Sequence, residues 1–302
     1  MIRLLAYGLA PLVVLIGMIC FASLFSYGLL LLCGDLQPIN KIISRSMQVL
    51  LALCIFPLKK ILGFTWTNLG FPARTVFFKQ IGSGLLLSLA TLLPVFVILF
   101  VLGVHVFDDS RPWTGLEIGG KISLAFLLAM LIGLFEEILF RGLLLTVLQR
   151  GMATGVAIAI SSFYFAELHF LKSSSAIAYA DLHFESGFIL MAEAFGNLLH
   201  PEIFSALLSL FVVGIFLGML RTKQAQNLGL CIGCHCGWVW QIKISKDLFN
   251  VNPQSEYLYL VSDYDGVIGP LISVWLGLAL LVFSLITLGR GANRLKPGTK
   301  IV

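Results

Sequence analysis

The chain has 302 residues, 59% of them hydrophobic and only 12% charged, with a mean hydropathy of +0.98. No soluble domain of this size could hide that much apolar surface, which excludes a water-soluble enzyme or binding module. The net charge of +5 is spread along the chain without a basic tract, which argues against nucleic acid as a partner.

Eight apolar runs are long enough to span a bilayer as helices, at roughly 8–33, 46–62, 80–104, 122–147, 152–170, 202–220, 228–242 and 268–290. The second and seventh are short or polar, so seven to nine spans is the fair range. The predicted fold class is therefore all-α, a polytopic membrane bundle of about eight transmembrane helices embedded in the lipid bilayer. The first run lacks a small-x-small cleavage site, and the residue before Cys33 is a bulky leucine, so this helix is expected to be retained.

Basic residues gather on alternate sides of the runs. Lys59, Lys60, Arg74 and Lys79 lie between the second and third, Arg150 follows the fourth, Arg221 and Lys223 follow the sixth, and Arg290, Arg294, Lys296 and Lys300 close the chain. With eight spans, the positive-inside rule puts both termini in the cytoplasm. The exception is the stretch with Lys243, Lys246 and Asp247, which that scheme places outside. Small loops and the absence of a retention signal favour a bacterial inner membrane.

No repeat or linker divides the chain. Residues 1–118 read as leading transmembrane helices, and 119–302 as a core that holds most of the polar residues within apolar runs, plus a final helix. The connection 171–201 is partly apolar and suits a short interfacial or re-entrant helix packed on protein. Gly214 and Gly218 make a small-xxx-small pair suited to close helix contact. The six cysteines form no disulfide framework: Cys20, Cys33 and Cys54 suit core packing, while Cys231, Cys234 and Cys236 cluster around His235. The three consecutive residues Cys234, His235 and Cys236 diverge by about 100° each on one helix, and no second Cys/His cluster exists to complete a metal site.

The fourth run, LIGLFEEILFRGLLLTVL, carries Glu136, Glu137 and Arg141. Ionisable groups at membrane depth are costly, and three within six residues point to function. Residues four apart share a helix face, so Glu137 and Arg141 can pair. Glu136 lies about 100° away and is left over. A lone carboxylate in a low-dielectric site suits a general base or acid. A structural ion-pair clamp between helices accounts for one Glu and one Arg, but poorly for the second Glu. His169, in FYFAELHF, and His235, in CIGCHCGWVW, stand in or at the ends of other apolar runs. With Glu136 they could polarise a water and stabilise an oxyanion. Two histidines and a glutamate are equally a reasonable zinc set. The residues alone leave both open.

The ordered set Glu136-Glu137-x-x-x-Arg141, Phe165-x-x-x-His169 and His235 resembles the CAAX protease and bacteriocin-processing (CPBP, or Abi) family, intramembrane proteases related to the type II CAAX prenyl endopeptidase. The resemblance covers roughly 120–242 and the helix after it. It implies an eight-helix bundle that hydrolyses a peptide bond within the membrane. Glu136 would be the general base, His169 would help activate the water, His235 would belong to the oxyanion stabiliser, and Glu137 and Arg141 would support them. The implied mechanism needs no cofactor, with zinc on Glu136, His169 and His235 as the alternative. Implied substrates are peptides or proteins, including lipidated tails and bacteriocin-like peptides.

Two features run against this. The family's last motif is His-x-x-x-Asn or Asp, whereas the fourth residue after His235 is Val239, which cannot donate to an oxyanion. Trp238 and Trp240 flank it with N–H groups, although tryptophan is more often an interfacial anchor. Val239 favours the competing reading of a non-catalytic transporter or scaffold built on the protease fold. The second feature is depth: counted along their runs, Glu136 and His169 fall roughly 15–20 Å apart along the membrane normal. The expected remedy is a fifth helix that continues beyond Leu171.

Overall fold

Helices α1 (Ile2–Cys33) and α2 (Ile39–Ile61) form the first pair. α3 (Arg74–Val101) follows and ends in a reversal at Gly103, whose φ of +66° a side chain would disfavour. There the Gly103 and Val104 amides donate to the carbonyls of Phe100 and Leu99, closing the helix and turning the chain into strand β1 (His105–Phe107). The computed structural model describes residues 2–35, 37–110 and 112–294.

The next helix starts at a capping box, where the Thr114 hydroxyl accepts from the Glu117 amide and the Glu117 carboxylate accepts from the Thr114 amide. It runs as α4 (Gly115–Glu137), a π-helical segment (Ile138–Leu144) and α5 (Leu145–Gln149). Then come α6 (Thr154–Leu168), α7 (Ser186–Asn197), α8 (Phe204–Thr222), α9 (Leu228–Leu248), strand β2 (Phe249–Val251) and α10 (Pro270–Arg294). β1 and β2 pair antiparallel, His105 opposite Val251, and tie the ends of α3 and α9 together. Among the described residues five helices are long and apolar enough to cross a membrane, with Thr154–Leu168 and Pro270–Leu285 as shorter apolar ones. The protein is an all-α polytopic bundle, and α7 occupies the connection where a short helix was expected.

α9 is too polar to face lipid along its length, and its position explains why it need not. It packs against α3 and α4 and is buried over most of Leu228–Trp238. Gly229, Gly233 and Gly237 recur every fourth residue and form one stripe facing α3. A Cβ on Gly229 would lie 2.9 Å from the Gln80 side chain. On Gly233 it would overlap the Ile81 backbone, and on Gly237 the Ser88 hydroxyl. On the α4 side, Gly133 lies against Cys236. Gly214 and Gly218 do the same for α8, against Ser162 and Ile158 of α6. The stripe lets the backbones approach closely and fixes where His235 stands.

At one end of the bundle Arg150 donates to the Leu62 carbonyl at 3.2 Å and Arg221 to the Asn68 carbonyl at 3.4 Å. At that end a short turn joins α5 to α6, which makes it the right origin for measuring depth. Glu136 lies 13 residues before Gln149, and His169 lies 15 residues after Thr154. At 1.5 Å per residue these are about 20 and 22 Å, the same level. The expected extension of the fifth helix beyond Leu171 is therefore wrong. α6 stops at Leu168, with His169 as its cap, and the depth gap disappears because the two helices are antiparallel about a shared turn.

Because the α3–α9 contact has no spare volume, Gly233→Ala is expected to destabilise the protein by about 1–3 kcal/mol, read as a lowered Tm in detergent. Gly277→Ala, where nothing lies within 4 Å of the added carbon, is expected to leave Tm within error or slightly raised.

Candidate active site

Glu136 and Glu137 end α4 at the start of the π-helical segment. Such segments are rare and recur at functional sites because the widened turn re-aims side chains. Here the Leu145 amide bonds to the Phe140 carbonyl, which also accepts from the buried Ser161 hydroxyl at 3.1 Å.

Glu137 is fully buried. Its Oε1 lies 2.9 Å from Arg141 Nη1 and 2.9 Å from His235 Nδ1. Arg141 is itself only 1% exposed, and its Nη2 donates to the Gly214 carbonyl at 3.3 Å. Its guanidinium sits over the Phe165 ring, 4.3 Å from the centroid. One carboxylate thus joins the π segment, α8 and α9.

Glu136 stands about 100° round the helix from Glu137, and its side chain is 30% exposed. Its Oε2 lies 3.9 Å from His169 Nε2 and 3.8 Å from His235 Nε2, and makes no hydrogen bond to any described residue. His169 is anchored from behind, with Nδ1 2.7 Å from the Phe165 carbonyl. The Phe165 ring contacts both imidazoles, with centroids at 4.7 and 5.8 Å. All five residues singled out in the sequence stand together.

Hydrogen-bond bookkeeping fixes the polarity of the centre. A carbonyl and a carboxylate can only accept, so both Nδ1 atoms must carry hydrogen. In the neutral rings both Nε2 atoms then present lone pairs toward Glu136. Separations of 3.8–3.9 Å suit a bridging water about 2.8 Å from each partner. They suit zinc less well: ligands at about 2.0–2.1 Å in a tetrahedral site stand about 3.3 Å apart. Among the described residues no group of three or more His, Cys, Asp or Glu side chains is placed to hold a metal ion. Cys231, Cys234 and Cys236 are buried in the packing around α9, and all six cysteines are free.

Two cavities meet at this centre. One, of about 580 Å³, lies among α1, α2, α4 and α7 and is walled by Ile43, Met47, Leu51, Phe135, Leu190 and Met191. The other, of about 720 Å³, lies among α3, α4, α9 and α10; Leu92, Leu128, Val239 and Ile272 line it, with Lys121, Lys243 and Lys246 also on its wall. Glu136, His169, Lys172 and Tyr264 line both. The segment after His169 is held in place by Glu193 of α7, which accepts from the Ser173 hydroxyl at 2.6 Å and the Ser174 and Ser175 amides at 3.1 and 3.2 Å. These bonds hold its carboxyl down to about 2, so the tie persists across the ordinary pH range.

Position 239 is apolar, and its tryptophan neighbours do not replace it. Trp238 donates to the Thr91 hydroxyl at 2.9 Å, and Trp240 to the Ile122 carbonyl at 3.0 Å. Sequence reasoning missed Tyr264, which lies in the irregular connection between β2 and α10 where no periodicity marks it. It also missed the role of Thr91 in taking up the Trp238 N–H.

No curated protein and no solved structure matches the chain. A family comparison does match, over the segment that supplies Glu136, Glu137, Arg141, His169 and His235. Residues 119–241 match the family model described as type II CAAX prenyl endopeptidase Rce1-like.

Proposed function

We propose that this integral membrane protein is an intramembrane endopeptidase that hydrolyses a peptide bond with a water activated by Glu136 and His169. The observation that carries the reading is the Glu136 Oε2 atom, buried without a hydrogen bond and facing two imidazole nitrogens at 3.8–3.9 Å. The family match over 119–241 supports a peptidase.

In this mechanism a water gives one hydrogen to Glu136 and the other to His169 Nε2, leaving an oxygen lone pair free to attack the carbonyl carbon. As the C–O bond forms, the proton passes to Glu136 and the carbonyl electron pair moves onto oxygen. Collapse breaks the C–N bond, Glu136 returns the proton to the leaving nitrogen, and a carboxylic acid and an amine result. His235 has its Nδ1 hydrogen committed to Glu137, so it can donate from Nε2 only as the imidazolium. That cation would have Glu137 at one nitrogen and Glu136 beyond the other, and it serves the oxyanion. Arg141 holds Glu137 in place. The steps need no metal. The substrate is a peptide or protein segment entering from the bilayer, and the apolar cavity suits a lipidated tail or a bacteriocin-like peptide. Both termini lie in the cytoplasm, and the membrane is a bacterial inner membrane.

The second reading is a non-catalytic protein on the same fold, favoured by Val239 and the committed tryptophan N–H groups. Cleavage of a panel of fluorogenic tail peptides, lipidated and plain, by purified protein separates the two. Glu136→Gln is expected to lower the rate about 10²–10⁴-fold with Tm unchanged, because Glu136 is partly exposed and pairs with no cation of the clamp. Cleavage equal to wild type would sink the reading, and no cleavage by wild type of any peptide favours the non-catalytic alternative. Arg141→Met should behave differently. It leaves the buried Glu137 without its cation at a cost of about 3–5 kcal/mol, seen as loss of folded protein in size-exclusion chromatography.

A further inference from the structure

The proposed hydrolysis leaves one demand that His235 meets only after gaining a proton. Three groups face the reacting centre, and each is an acceptor in its resting form: Glu136 Oε2 and the Nε2 atoms of His169 and His235. An oxyanion needs a hydrogen-bond donor already in place. The donors nearby are almost all committed. Trp238 and Trp275 donate to Thr91, Trp240 to Ile122, and the Thr91 hydroxyl itself to the Leu87 carbonyl. Lys121 is held by Asp247 at 2.7 Å. Lys243 lies eight residues past His235, about 12 Å along the helix, and Lys246 lies farther still.

Tyr264 remains. It lines both cavities beside Glu136 and His169. Its ring packs on Phe170, directly after His169, with centroids 4.9 Å apart, and Lys172 Nζ lies over it at 5.7 Å. Its hydroxyl hydrogen-bonds to no described residue. We propose that the Tyr264 O–H donates a hydrogen bond to the oxyanion formed when water adds to the substrate carbonyl, the contact that Val239 cannot make. This rests on the hydrolytic reading. Burial pushes the phenol up, and the charges of Asp265 and Glu136 push it further, so the group keeps its hydrogen at neutral pH. Unlike His235, it donates without first gaining a proton.

The test compares kcat and KM of wild type, Tyr264→Phe and Glu136→Gln on the best-cleaved peptide. Phenylalanine keeps the ring on Phe170 and removes only the hydroxyl. The expected result is a fall in kcat of about 10²–10³-fold with KM within about threefold, since the bond forms only in the transition state. A kcat within twofold of wild type overturns the assignment, as does a raised KM with kcat unchanged. Cleavage that does not depend on Glu136 sinks the hydrolytic reading and Tyr264 with it. Glu136-dependent cleavage that is indifferent to Tyr264→Phe sinks Tyr264 alone.

Discussion

A single buried carboxylate organises this structure. Glu137 has no contact with solvent, and its Oε1 meets Arg141 and His235 at 2.9 Å each. A charge so placed is tolerable only when paired and hydrogen-bonded. The pairing therefore constrains everything around it. The π segment must present Arg141, α9 must come close enough to present His235, and α8 must offer the Gly214 carbonyl to the guanidinium. The neighbouring carboxylate, Glu136, gains its surroundings as a consequence. The His235 that Glu137 fixes by one nitrogen turns its other nitrogen toward Glu136.

Close backbone approach makes this possible. Gly229, Gly233 and Gly237 bring α9 against α3, and Gly133 brings it against α4, so a helix carrying a histidine and three cysteines can run through the interior. The short turn between α5 and α6 sets the level at which His169 emerges. α6 is only 15 residues long and ends at the depth of Glu136, which lets the chain after it, with Phe170 and the Tyr264 loop, close over the centre from one side.

The parts legible in the sequence were those governed by local periodicity. The Glu137–Arg141 pair follows from four-residue spacing, and the eight main helices from the apolar runs. The small-xxx-small contact at Gly214 and Gly218 was readable in the same way. The glycine stripe of α9 obeys that rule too, but it is masked by the more conspicuous cysteines between its members. Depth misled because the runs were measured from their own ends rather than from the shared turn. Tyr264 and Thr91 were not readable, since one sits in an aperiodic loop and the other looks like any helical threonine. Their placement is a tertiary outcome of α10 and α9 packing on α3.

The central claim is that both imidazoles are anchored through Nδ1, which turns both Nε2 atoms toward Glu136. It is tested most directly by nitrogen-15 NMR of histidine-labelled protein in lipid, with His169→Gln and His235→Gln variants assigning the two rings. The expected result is a hydrogen on Nδ1 of both His169 and His235. A bare Nδ1 on either ring would contradict the account.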